Sequence, residues 1–206
     1  METLYIFKEF FNKTLGSYNI ESRNDHTYLN PEKRENYLFN STINGIEKAD
    51  FIFIVGSNPR YEATILNARI RKAYLQNKTK IISFNDVGDL TYPYECLNGD
   101  IENIKKITED NHEISSLIKN AKNPLIIFGK SSLNSKSAKY IFESIKSFLK
   151  KNGKISEEWN SLNVISENAS TVGSFDLGLY KTEDGSNEVL KDLENHKFEI
   201  VYLLGL

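Results

Sequence analysis

Between an apolar run and a helical pattern the chain reads Gly56-Ser57-Asn58-Pro59-Arg60. A polar turn in that setting presents the free N–H groups and partial positive charge of a helix start, an arrangement that attracts anions. Asn58 suits the helix cap, and Pro59 suits the first helical position, where its missing N–H costs nothing. Arg60 lies in that first turn, where a cation is unfavourable unless an anion is near. Asn67 and Arg71 follow on the helical face that Arg60 begins. Two readings stand side by side. Gly56, Ser57, Asn58 and Arg60 form a pocket for a phosphate or the tail of a pterin nucleotide, or Arg60, Asn67 and Arg71 are interface and ion-pair residues. In the second case they meet carboxylates of a neighbouring chain or of this chain's own acidic loop, Asp86, Asp89 and Glu95.

Other residues with chemical potential lack the spacing that chemistry needs. Gly129-Lys130-Ser131-Ser132 resembles the end of a phosphate-binding P-loop. That loop requires a glycine at the position held here by Pro124, and Leu125 to Phe128 read as strand, so the segment is a strand followed by a turn. His26, His112 and His196 are far apart and read as surface or capping histidines rather than metal ligands. Cys96 has no basic neighbour or helix start to depress its pKa and reads as a small buried apolar side chain. Neither Gly-x-Ser-x-Gly nor Gly-x-Gly-x-x-Gly occurs.

The composition sets the class of protein in which such a turn must work. A chain of 206 residues buries roughly 70% of its unfolded surface. Apolar residues at 39% and charged residues at 26% describe a globular protein. Lys plus Arg (26) nearly balances Asp plus Glu (28), which argues against a nucleic-acid partner. No apolar run approaches the roughly 20 residues of a membrane span. The opening "METLYIFKEFFNKT" has neither the pattern of a secretory signal nor that of a transit peptide, so the chain is expected to act in the compartment where it is made. One cysteine excludes an internal disulfide and an iron–sulfur cluster ligated by this chain alone. The abundance of Lys, Asn and Ile matches the A+T-biased coding common in organelle genomes.

Four apolar runs, "DFIFIVG", "KIISFND", "PLIIFGK" and "FEIVYLLG", are continuous rather than alternating, as strands buried on both faces must be. One helix is predicted over 59–76, with Ala63, Leu66, Ile70 and Ala73 on its buried face, and a second over 135–151 with a stripe from Ala138 to Leu149. Shorter helices are predicted at 4–11, 114–121, 162–169 and 187–193, with 17–35 polar and irregular. The alternation predicts an α/β fold: a Rossmann-like, three-layer, mainly parallel sheet with helices on both faces. Residues 1–45 read as a lead-in helix and irregular segment, and 46–206 as the α/β core of a single domain. The final run, 201–206, is either a central strand covered by the earlier helices or an unfinished one completed by another polypeptide; the second is the reading adopted.

The run from Asp50 to Leu97 is distinctive. With Tyr37-x-x-Asn40-x-Thr42-x-x-Gly45-Ile46-Glu47 upstream and "AKNPLIIFGKSSL", "ISENASTVGSFDLG" and "YLLG" downstream, it resembles the molybdopterin-oxidoreductase-like domain in the large iron–sulfur subunit of respiratory complex I. True molybdopterin enzymes continue after the second strand with an Asp-Pro-Arg type turn and later an Arg-Pro-Gly-Thr-Asp type segment, both facing the cofactor. Here the second strand runs into "SFNDVGDLTYPYE" and neither is present. The resemblance implies a fold kept after loss of its cofactor: an incomplete molybdopterin-oxidoreductase-like domain that is non-catalytic, binds no metal, and belongs to a split subunit. It also implies iron–sulfur clusters and FMN in partner chains. Those partners are other peripheral-arm subunits, above all the cysteine-rich iron–sulfur portion and a chain completing this domain. The implied location is the matrix side of the mitochondrial inner membrane, or the cytoplasmic side of a bacterial plasma membrane. The alternative is a pterin-nucleotide-binding fragment of a molybdenum- or tungsten-dependent formate dehydrogenase-like enzyme.

Overall fold

Strand β1, Phe51–Val55, sits at the centre of the molecule with all five residues buried. It pairs in parallel with β2, Lys80–Ser83, on one side and with β4, Pro124–Phe128, on the other, placing Phe53 beside Ile82 and Ile126. A two-residue β3, Glu95–Cys96, extends the sheet beyond β2, and β5, Leu162–Val164, extends it beyond β4. The order is β3-β2-β1-β4-β5, every pair parallel, as the apolar runs predict. In this computed structural model, residues 1–23, 26–166, 168, 170–181 and 188–204 are described.

Successive strand side chains point to opposite faces, and the core divides accordingly. Phe51, Phe53, Val55 and Phe128 join one layer with α4 (Ile101–Thr108), α5 (Glu113–Asn120) and α7 (Ala138–Lys151). Ile52, Ile54 and Ile127 join the other with Ile70 of α3 (Thr64–Asn77) and with Leu90 and Tyr92 of the loop after β2. Helix α7 buries the stripe the sequence predicts, from Ala138 to Leu149. Helix α4 was not foreseen, although Asp100 caps it and Ile104 and Ile107 are its buried face.

Three elements differ from expectation. The helix predicted over 59–76 is two: α2, Pro59–Glu62, and α3, separated at Ala63, whose φ of −153° and ψ of 68° leave the helical region. The break re-aims α3, so that Asn67 is buried with Ile70 and Ala73 while Leu66 is only half-buried. The predicted helix over 162–169 is instead the edge strand β5. Leu162 and Val164 enter the core, and the intervening Asn163 is satisfied by Ser41. The helix, α8, begins later, at Thr171–Asp176; Glu167 and Ala169 lie outside the described residues. Finally, "FEIVYLLG" is not a strand: residues 198–204 pair with nothing in the sheet, and Gly205 and Leu206 lie outside the described residues.

The N-terminal helix α1, Glu2–Glu9, continues as a π-helical stretch, Phe10–Thr14. Residues 17–35 are largely irregular as predicted, yet Tyr28 and Leu29 reach the core. Two short helices complete the chain: α6, Lys130–Leu133, after β4, and α9, Glu188–Glu194, whose predicted first residue, Asn187, is outside the described set. The free side of β5 is covered by residues 38–41: Val164 N–H donates to Leu38 O, the Asn40 amide donates to Leu162 O, and Ser41 N–H donates to Asn163 Oδ1. Among the described residues no helix is long and apolar enough to cross a membrane.

Candidate functional site

The sheet order reverses direction between β1 and β4, and ligands of open α/β sheets bind in the crevice beyond the carboxyl ends of such a strand pair. Here β1 runs into Gly56 and β4 into Gly129. Gly56 has φ +65°, and a Cβ on it would lie 2.3 Å from Ser132 N. A Cβ on Gly129 would lie 2.3 Å from Ser57 Cβ and 2.5 Å from Gly56 O. The two turns therefore touch backbone to backbone. Gly129 N–H donates to Val55 O (3.0 Å), Ser131 N–H to Gly56 O (3.1 Å) and Ser132 Oγ to Val55 O (2.8 Å). Gly129 thus caps α6 and packs on its neighbour, so that β4 is followed by a one-turn helix where the sequence reading has a turn.

The donors at the start of α2 are also engaged from within. The Glu62 carboxylate folds back over the helix N-terminus, accepting from Ser57 Oγ (2.9 Å) and from Asn58 N–H (2.7 Å). Asn58 Oδ1 accepts from Arg60 N–H (3.1 Å), and Asn58 Nδ2 donates to Val87 O (2.7 Å). The anion that the positive end of this turn attracts is therefore supplied by the chain itself. The hydroxyl and N–H that this turn would offer a phosphate are bound to Glu62, so as they stand these residues do not fit one.

Arg60 and Asn67 hold the loop that follows β2. The Arg60 guanidinium donates to Asp89 O (2.9 Å) and Asp89 Oδ2 (2.5 Å). The Asp89 carboxyl lies below its ordinary pKa because Thr91 N–H donates to it and, next, because Arg60 does. Asn67 Nδ2 donates to Leu90 O (3.1 Å), and Tyr92 OH donates to Asn67 Oδ1 (2.7 Å). Burial pushes the Tyr92 phenol well above its ordinary value. Of the two partners open for Arg60, the chain's own acidic loop is the one found, and Asn67 turns out to be a core residue with its amide satisfied.

Arg71 does not join them. The break at Ala63 takes it off the Arg60 face and leaves it exposed, with no ion pair among the described residues. The helix is fastened instead by Arg69 and Lys72, both paired with Glu47, whose carboxyl is lowered first by Lys72 and then by Arg69. Cys96 also departs from its reading: it is exposed on the edge strand β3. His112 caps α5, its Nδ1 accepting from Ile114 N–H, and His26 lies 3.6 Å from Glu194. Glu62 is the residue the sequence reading missed. It lies four positions past the Asn cap, one beyond the spacing of a capping box.

Comparison with known proteins places this geometry. The molybdopterin oxidoreductase family matches residues 1–206. The chain belongs to that family. It is 36% identical over 204 residues to the mitochondrial NADH dehydrogenase [ubiquinone] iron-sulfur protein 1 of Solanum tuberosum, covering 99% of this chain and 26% of that relative. It is 33% identical over 219 residues to the NADH-ubiquinone oxidoreductase 75 kDa subunit of Reclinomonas americana, covering 100% of this chain and 31% of the relative. To the mitochondrial NADH-ubiquinone oxidoreductase 78 kDa subunit of Neurospora crassa it is 38% identical over 184 residues, covering 86% of this chain and 24% of the relative. The chain thus spans about a quarter to a third of the length of these curated relatives.

A second concavity lies away from the turn. It is a cavity of about 620 Å³ between the N-terminal helix, α8, α9 and residues 198–204, with Leu4, Phe7, Leu133, Ile165 and Leu179 among its lining residues.

Proposed function

We propose that this chain is a structural, non-redox part of the peripheral arm of respiratory complex I, supporting the iron–sulfur cluster-bearing portion while electrons pass from NADH to ubiquinone and protons are pumped. Similarity over 86% to 100% of the chain to three subunits named for NADH dehydrogenase or NADH-ubiquinone oxidoreductase supports this reading. The single observation carrying the non-redox part is the Glu62 carboxylate on Ser57 Oγ and Asn58 N–H, which occupies the donors of the switch-point turn from within the chain. No catalytic residue is assigned. Glu62, Asn58, Arg60 and Asn67 position protein: together they fasten the 84–94 loop over the sheet.

In this reading FMN and the iron–sulfur clusters reside in partner chains, and the chain sits in the mitochondrion, on the matrix side of the inner membrane, encoded in the organelle. Two of the three relatives compared carry "mitochondrial" in their names, which supports the compartment. The partners are other subunits of the peripheral arm, above all its cysteine-rich iron–sulfur portion.

The test is purification of the tagged chain in mild detergent, followed by NADH:ubiquinone activity of the eluate, identification of the associated chains, and metal analysis of the separated chain. Co-elution with an NADH-oxidising complex, and neither iron nor molybdenum on the separated chain, is the expected result. Stoichiometric metal or a released pterin nucleotide would instead favour the formate dehydrogenase-like alternative.

A further inference from the structure

Helix α3 buries Asn67, Ile70 and Ala73 on its inner face, and a helix covered on one side only carries polar residues on the other. Its outer face departs from that pattern. Opposite the buried residues, Ile65, Ala68, Lys72 and Leu75 recur at every third or fourth position, the 3.5-residue repeat that seats one helix along another. All four face solvent: Ile65 is 69% exposed and Leu75 is 55% exposed, and Tyr61, on α2 just before the break, is 79% exposed. Ala68 sets a small side chain at the middle of this ridge, where a second helix axis can come close. The charges on the same face are unbalanced. Arg69 and Lys72 share one carboxylate, that of Glu47, and Arg71, beside the ridge, has no ion pair among the described residues.

We propose that the outer ridge of α3 is a docking seam for an acidic amphipathic helix of another peripheral-arm subunit, which lays an apolar stripe on Ile65, Ala68 and Leu75 and sets a carboxylate beside Arg71. This rests on the assembly proposed above and names the chemistry of one of its contacts. Charge selects the occupant. A second copy of this chain would bring Arg69, Arg71 and Lys72 against the same three cations, and like charges juxtaposed across an interface oppose association. A helix bearing carboxylates gains at that contact. An anionic membrane would also answer the charge, but a helix lying on lipid presents a broad apolar face rich in large side chains, not a narrow ridge notched at Ala68. The apolar residues of the seam supply the adhesion, and the pair at its margin sets partner and register.

The test places the photo-crosslinking residue p-benzoylphenylalanine at the position of Ile65, illuminates the complex isolated in mild detergent, and reads the joined peptides by mass spectrometry. The expected product joins this position to one segment of one other subunit, with apolar residues at every third or fourth position and an Asp or Glu within a turn of the joined residue. Arg71→Glu should lower the yield of that product about tenfold, whereas Arg71→Lys, which keeps the charge, should hold it within about twofold. Both variants should melt with the wild-type chain, because Arg71 is exposed and makes no ion pair within it. Exchanging the partner's carboxylate for Lys should restore the yield with Arg71→Glu. A product within the same polypeptide, with lipid or with a second copy of this chain overturns the partner helix. So does an assembled complex that gives no product, or a yield indifferent to Arg71→Glu. Each of these leaves the assembly reading standing, whereas a chain that enters no complex overturns that reading and the seam with it.

Discussion

The β1–β4 switch point and the groove beside the N-terminal helix are built in opposite ways. At the β1–β4 switch point the Ser57 hydroxyl and the N–H groups of Asn58 and Arg60 are engaged within the chain, and two glycine turns lie in contact. In the groove between the N-terminal helix and residues 198–204, apolar side chains stand in solvent and backbone groups are unpaired. A cofactor enzyme would show the reverse: an open crevice at the switch point and a finished sheet around it. Unpaired donors at a closed turn are costly and the Glu62 carboxylate satisfies the Ser57 hydroxyl and the Asn58 N–H that face it, whereas the apolar groove has no such internal partner among the described residues.

The contrast is broken most forcefully at Gly56. Gly56→Ala adds a Cβ against the Ser132 backbone at positive φ, and about 3 kcal/mol or more of stability should be lost in urea unfolding. Loss of less than about 1 kcal/mol would mean the two turns separate easily and the crevice can open. Next comes Asn67→Leu, which strands Leu90 O and the Tyr92 hydroxyl. It should cost about 2 kcal/mol, with part recovered when Tyr92→Phe is added. Tyr92 also gives a pH signature. Its phenol has a raised pKa in the folded state, so its contribution is fully present below the unfolded value near 10 and is lost as pH rises past it toward the folded value. Tyr92→Phe should remove that share of the alkaline loss. Glu62→Gln weakens two hydrogen bonds to a carboxylate and should cost about 1 kcal/mol by the same urea measurement. At the bottom of the scale, Ile200→Ser on the chain alone should change stability by less than about 0.5 kcal/mol, since Ile200 is 88% exposed. A larger loss would make the groove part of the chain's own core.

What the sequence disclosed follows from how far each signal reaches. β1, β2 and β4 announce themselves because burial on both faces demands unbroken Ile, Val and Phe, and α7 because its stripe repeats over four turns. The site was half legible: Asn58 and Pro59 act as cap and first helical residue, and the acidic loop is indeed the partner of Arg60. The remainder depends on tertiary geometry. Nothing local marks Ala63 as a break, so Arg71 kept a place on the wrong face and Asn67 an exposure it does not have. Asn163 between Leu162 and Val164 reads as helix or strand until Ser41 arrives from 122 positions away to satisfy its side chain. Cys96 looked buried by residue type alone, but a two-residue edge strand has little to cover it.

The covering of β5 by residues 38–41 has a consequence for how copies of this chain can associate. With Asn40, Ser41 and Leu38 already bonded along that margin, and with only Glu95 and Cys96 forming the opposite one, the sheet offers neither flank for stacking into a polymer. Growth of a fibre by edge-to-edge pairing of sheets is disfavoured on both sides without any added charge or proline at the margins.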